Sequence, residues 1–132
     1  MRVLLDTNVL ISAVLFGGIP RSLLERGIAG EIELVTSPSL MDEFEEVVRE
    51  KFGFPSEIAR TVRTELELLA DVVRPKTIPR VLQDPDDVVL ATAVTGRAEA
   101  IVTGDSGLLD LASYRRVRIM TPRDLLTRLE GS

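Results

Sequence analysis

Four short, largely apolar runs recur along the chain, at residues 3–5, 32–35, 100–103 and 117–120, and each leads into a segment with helical spacing. Runs of this length read as strands buried on both faces. Strands alternating with helices imply parallel pairing through right-handed crossovers. The pattern therefore predicts a three-layer α/β/α sandwich around a central, mostly parallel, five-stranded sheet. The fifth strand is expected at Val72-Val73, just before Pro75. At 132 residues the chain has the length of one domain, residues 1–132, with a real core. Aromatic residues make up only 4%, so that core must be built from Leu, Val, Ile and Ala.

Glycine, proline and capping residues punctuate the helices. The segment 9–16 is helical by spacing and stops at Gly17-Gly18. Pro20 opens a second helix in its first turn, and Gly27 or Gly30 closes it. Ser37 caps a third, with Pro38 at its first position, running to about Phe52 before Gly53 and Pro55. Ser56 caps the next, with Ile58, Val62, Leu66 and Leu69 on one face. Periodicity is lost over 74–85, which reads as a loop. A helix over 86–95 ends at Gly96, a short one covers 106–111, and Thr121-Pro122 opens the last.

The chain has neither cysteine nor histidine. That excludes disulfides, thiolate catalysis and cysteine-based zinc sites, and it removes the usual general base. Any metal site must use oxygen ligands, which suit Mg²⁺, Mn²⁺ or Ca²⁺. The net charge of −5 argues against gripping nucleic acid by bulk electrostatics, although cations held in an acidic pocket would offset it. The longest apolar run, 9–16, is too short to span a bilayer, and Asp6 comes too early for a signal peptide. The expectation is a soluble, cytoplasmic protein with no membrane partner.

Asp6 and Asp105 each fall just past the carboxyl end of an expected central strand, where open parallel sheets form their sites. Read alone, Asp6 is an ordinary helix cap. Asp87 precedes Leu90, Ala91 and Val94 by three, four and seven residues, so it begins the inward stripe of its helix; Asp84, Asp86 and Asp87 also lie where a helix start favours anions. On the helix after Ser37, Glu43 and Glu45 border the buried face on opposite sides, and spacing alone selects neither. Three or four converging carboxylates repel one another and raise each other's pKa, so the cluster calls for cations. Mg²⁺ or Mn²⁺ suits it, and such a site activates water for displacement at phosphorus without an imidazole.

At these residues the chain resembles the PIN-domain family of metal-dependent ribonucleases, and within it the VapC-like toxins of toxin–antitoxin pairs. Leu5-Asp6-Thr7-Asn8-Val9-Leu10 resembles the first family motif, and Ser37 with Leu40 and Glu43 the second. Asp84-Pro85-Asp86-Asp87 leading into Val88-Val89-Leu90-Ala91 resembles the third, and Thr103-Gly104-Asp105 with Gly107-Leu108-Leu109 the fourth. Each motif alone carries little; four in order carry the resemblance. It implies that Asp6, Glu43, Asp87 and Asp105 are the catalytic and metal-binding acids, with Asp86 the alternative to Asp87 and Asp84 a neighbour. It implies Mg²⁺ or Mn²⁺ as cofactor, a single-stranded or structured RNA substrate, a homodimer and a protein antitoxin. Thr103 and Asn8 would be supporting groups, with Asn8 rather than Asp6 opening the first helix.

Two basic clusters, Arg74, Lys76 and Arg80, and Arg115, Arg116 and Arg118, are candidates for phosphate contacts, which position a strand without reading it. Surface solubility is the plainer account of both. A non-catalytic PIN-like module that binds RNA or protein is the competing function. A phospho-accepting receiver domain ranks lower, because no lysine follows Lys76.

Overall fold

The computed structural model describes residues 1–82 and 86–131. Six strands form one sheet: β1 (Arg2–Leu5), β2 (Glu33–Thr36), β3 (Ala70–Val72), β4 (Ala100–Val102), β5 (Ser113–Tyr114) and β6 (Val117–Met120). Their order is β3-β2-β1-β4-β6-β5. Every neighbouring pair is parallel except β5 with β6. The α/β sandwich with a mostly parallel sheet is therefore present, with a sixth, two-residue strand added at one edge.

The helices are α1 (Thr7–Leu15), α2 (Gly18–Ile28), α3 (Pro38–Glu50), α4 (Ser56–Leu69), α5 (Asp86–Thr95), α6 (Ser106–Leu111) and α7 (Pro122–Glu130). Strand residues alternate between two cores. Val3, Leu5, Ala100, Val102 and Met120 face one, with α1, α2, α4, α7 and most of α3. Leu4, Val35, Ile101 and Ile119 face the other, with α5 and α6. Both faces of the central strands are thus covered, which is why these segments read as continuous apolar runs. Burying a side chain such as Leu4 or Phe44 completely contributes about 1.5–3 kcal/mol each.

From β1 the chain moves outward to β2 and β3, then returns to lay β4 against the other side of β1. The order reverses between β1 and β4, and the space beyond their carboxyl ends is where open parallel sheets form their sites. Leu5 pairs with Val102, and the Asp6 amide extends the ladder by donating to the Val102 carbonyl at 2.9 Å. Asp6 and Thr103 therefore leave the sheet side by side.

Local details depart from the sequence expectations. Ser56 is the first residue of α4; the cap is Pro55, which makes no side-chain hydrogen bond. The buried stripe of α4 is Ala59 and Leu66, while Ile58 and Leu69 are 51% and 37% exposed. The stripe is rotated because Arg63 lies against α3 and ion-pairs with Asp42 and Glu45. β3 begins two residues before Val72. Gly27 lies inside α2, where a Cβ would come 2.8 Å from Leu34 Cδ1, and the chain turns instead near Gly30, at φ +80°. No single helix among the described residues is long and apolar enough to cross a membrane. α1 and α2 have the length together, but they meet at 95°.

Candidate active site

Asp6 ends β1 and caps α1. Its Oδ1 accepts from the Thr7 amide at 2.8 Å, and its Oδ2 accepts from Thr103 Oγ1 at 2.7 Å. Thr103 is fully buried one residue beyond β4, and its hydroxyl also accepts from the Asp105 amide at 3.0 Å. One side chain thus ties the two strand ends together. Asp105 in turn caps α6, its Oδ2 accepting from the Leu108 amide at 2.9 Å. Thr103 fills the supporting position expected of it. Asn8 does not open the first helix: it is exposed, and the cap is Asp6 itself.

Glu43 reaches the same crevice from α3. The start of that helix is anchored by buried Ser37, whose Oγ accepts from the Leu40 amide at 3.5 Å. Ser37 Oγ also lies 3.0 Å from Thr92 Oγ1 on α5, so a buried hydroxyl pair links the two helices that carry acids. Glu45, the other acid at the border of the buried face, is bound to Arg63 and points to α4.

Asp86 and Asp87, the two acids that open α5, stand in different surroundings. Asp87 faces inward, as its spacing required, and is only 5% exposed. Its carboxylate is taken up by main-chain amides, Leu82 at 2.7 Å and Val81 at 3.2 Å. It anchors the chain entering α5. Asp86, one residue earlier, turns to the crevice and lies within hydrogen-bonding reach of Asp105. A Cβ placed on Gly107 would stand 3.2 Å from Asp105 Oδ2 and 3.7 Å from Asp86 Oδ2, so both oxygens border the space that this glycine leaves open. Asp84 lies outside the described residues.

The acids influence one another's protonation. Burial pushes the Asp6 carboxyl above its ordinary range; Thr103 and the Thr7 amide oppose this, and Asp105 adds to it. Glu43 is raised by burial, then by the charges of Asp6, Asp86 and Glu46. Asp86 is raised by burial, then by Asp105 and Asp6, and by its hydrogen bond with Asp105. Among the described residues, no three acidic side chains stand at the spacing that closes round a metal ion. The donors bordering the crevice are carboxylate oxygens, the chemistry hard cations prefer.

Asp86 was legible only as one of three neighbouring acids, because a one-residue choice at a helix start depends on the preceding loop. Nothing in the sequence singled out Gly107 as the floor beneath two carboxylates. The link from Ser37 to Thr92 is likewise visible only once α3 and α5 are packed.

An open parallel sheet with Asp6, Glu43, Asp86 and Asp105 around the ends of its central strands defines a class of α/β domains with an acidic crevice at the topological switch point. The family model of the PIN domain matches residues 2–107, from the first strand into α6, and the chain belongs to the PIN domain family. Its members are commonly nucleases. No curated protein matches the chain.

Proposed function

We propose that this protein is a metal-dependent endoribonuclease and the toxin of a toxin–antitoxin pair. The reading rests on one observation above all: in a PIN-domain chain, Asp6, Glu43, Asp86 and Asp105 gather near the carboxyl ends of the central strands, where burial and their mutual charge push the carboxyls of Asp6, Glu43 and Asp86 upward. A phosphodiester is itself an anion and cannot approach such a group unless cations offset the charge. The four acids fit Mg²⁺ or Mn²⁺, because these ions bind through one or two carboxylates and keep waters, without a closed cage of three. A divalent ion held there would supply Lewis acidity, polarising water and offsetting charge at phosphorus.

The chain's own residues set the conditions. Thr103 fixes the Asp6 carboxylate by hydrogen bonding to Oδ2. Gly107 keeps the space between Asp86 and Asp105 clear. The Ser37–Thr92 pair holds α3 against α5, the helices that carry Glu43 and Asp86. RNA as substrate, a homodimer, an antitoxin partner and action in the cytoplasm belong to the same proposal, supported by the resemblance of the four motifs to VapC-like toxins.

Purified protein is incubated with RNA and Mn²⁺, with and without chelator, beside Asp6→Asn. Cleavage should require both the ion and the aspartate; equal cleavage in all three samples overturns the reading. A second reading, a non-catalytic PIN-like module binding RNA or protein, is favoured by the open spacing of the acids. Calorimetric titration separates the two, since a degenerate site takes up no Mn²⁺. A small open reading frame beside this gene, whose product co-purifies with the protein, is the expected sign of the antitoxin.

A further inference from the structure

At the opposite end of the sheet, where β4 and β6 begin, a cleft of about 470 Å³ lies between the end of α5 and the β5–β6 turn. That volume falls within the range of ligand sites. Val94, Ala98 and Val117 contribute an apolar lining, and Arg97, Arg115 and Arg116 surround it. The expected cluster of Arg115, Arg116 and Arg118 is thereby divided, because Arg118 lines a different cleft beside α7. None of the three guanidinium groups has an ion pair or hydrogen bond among the described residues. The one acid in the lining, Glu99, has Oε1 3.4 Å from the Arg2 amide. A second groove of about 280 Å³ shares Val94 and Arg115 and adds Tyr114, whose ring centroid lies 5.5 Å from Arg115 Cζ.

Two of these arginines occupy backbone positions where glycine is the easy choice. Arg97 has φ 53° and is the residue after the α5 cap. The Ala98 amide bonds the Ala93 carbonyl and the Arg97 amide bonds the Val94 carbonyl, which is the Schellman ending whose left-handed residue is usually glycine. Arg115 has φ 54° at the first central position of a two-residue hairpin, another place that favours glycine. Both positions therefore hold an L side chain against the local backbone preference, and both side chains line one cleft. Costs of this kind collect where a side chain has a use.

We infer that this cleft is a second nucleic-acid contact, taking the phosphates and bases of a single strand at a distance from the acidic crevice. The inference rests on the nuclease reading for its choice of ligand. Guanidinium forks match phosphate oxygens, while the apolar lining and the Tyr114 ring suit the flat face of a base. An acidic peptide would satisfy the arginines alone and make no use of the ring.

The test measures fluorescence anisotropy of a labelled oligouridylate in chelator, so that nothing is cleaved. Wild type should bind with a clear salt dependence. Arg97→Gly/Arg115→Gly relieves both backbone positions, so it should melt at or above the wild-type temperature. It should nevertheless lose about tenfold in affinity, and its salt slope should become shallower by about 1.4, at about 0.7 per phosphate contact on a single strand. Arg116→Gln, which alters neither left-handed position, should weaken binding in the same direction and decides the matter if the double variant melts low. Unchanged affinity and slope, no binding by wild type, or tighter binding of labelled polyglutamate than of RNA each overturn the inference. Wild-type cleavage in Mn²⁺ is scored separately from binding in chelator, so failure of the cleft and failure of the nuclease reading show up in separate measurements.

Discussion

Asp6 caps a helix and faces an acidic crevice with one carboxylate, so the two roles that compete for it in the sequence are compatible. Oδ1 serves the Thr7 amide and Oδ2 serves Thr103, which fixes the plane of the group. Removing the supporting hydroxyl should therefore matter without unfolding the protein. Thr103→Val keeps the volume of a fully buried side chain but loses the bond to Asp6 and the acceptor for the Asp105 amide. Partners of this kind typically cost 10–100-fold when lost, so kcat/KM for RNA cleavage should fall by about that factor. Wild-type activity in Thr103→Val would remove Thr103 from the site. Gly107 offers a second test. Alanine there places a methyl group 3.2 Å from Asp105 Oδ2 and 3.7 Å from Asp86 Oδ2. Gly107→Ala should weaken Mn²⁺ binding in calorimetry while leaving the melting temperature equal or higher, because alanine suits a helix better than glycine. A variant that binds Mn²⁺ as tightly as wild type would show that the ion uses other space.

Helix α5 begins with two acids in different surroundings, and variants separate them. Asp87→Ala leaves the Leu82 and Val81 amides without their acceptor and should destabilise the fold by about 2 kcal/mol, the scale for a partly buried bond to a charged group. Asp86→Ala removes a carboxylate that Asp105 and Asp6 repel, so the cation-free protein should melt no lower than wild type while cleavage collapses. Urea melts and cleavage rates of the two variants check this; the reverse pattern would assign the site role to Asp87 and not to Asp86. The same pair shows how far the sequence could be read. Its spacing correctly gave an inward-facing Asp87, but an inward carboxylate must find partners, and these come from a loop with no periodicity to betray its path. The central strands were legible because both their faces are buried; β5 was not, because two residues carry no period. On α4, Val62 and Leu66 face the core as their spacing requires, whereas Ile58 and Leu69 do not, and Arg63, a long charged side chain, takes part in the packing against α3. Glu43 could be separated from Glu45 by motif alone, and the structure supplies the physical reason in the Arg63–Glu45 ion pair.

Across the whole molecule, the crevice stores repulsion that the rest of the fold has to bear. Asp6, Glu43 and Asp86 all have folded-state pKa values above their ordinary 3.8, 4.5 and 3.8. In the window between those ordinary values and the raised ones, the folded protein holds more protons than the unfolded chain. Stability then falls as pH rises, since its slope follows the protons bound by the unfolded state minus those bound by the native one. Below the ordinary values these groups are protonated in both states and cost nothing; above the raised values the full penalty applies. Other carboxylates contribute their own pH dependence, so the informative quantity is the difference between wild type and Asp6→Asn in chelator. Asp6→Asn should melt higher, and its advantage should grow as pH rises from the ordinary carboxylate range toward neutrality. Added Mn²⁺ should reverse the ranking at neutral pH, because binding at about 100 times Kd contributes about 2.7 kcal/mol to wild type and much less to a variant that has lost a donor. The same Mn²⁺ should stabilise wild type far less at acidic pH, where protons occupy the carboxylates. Melting curves of both proteins across pH, with and without Mn²⁺, contain the whole test. A gap that does not change with pH, or one that Mn²⁺ leaves untouched, would mean that the repulsion is not there to be relieved.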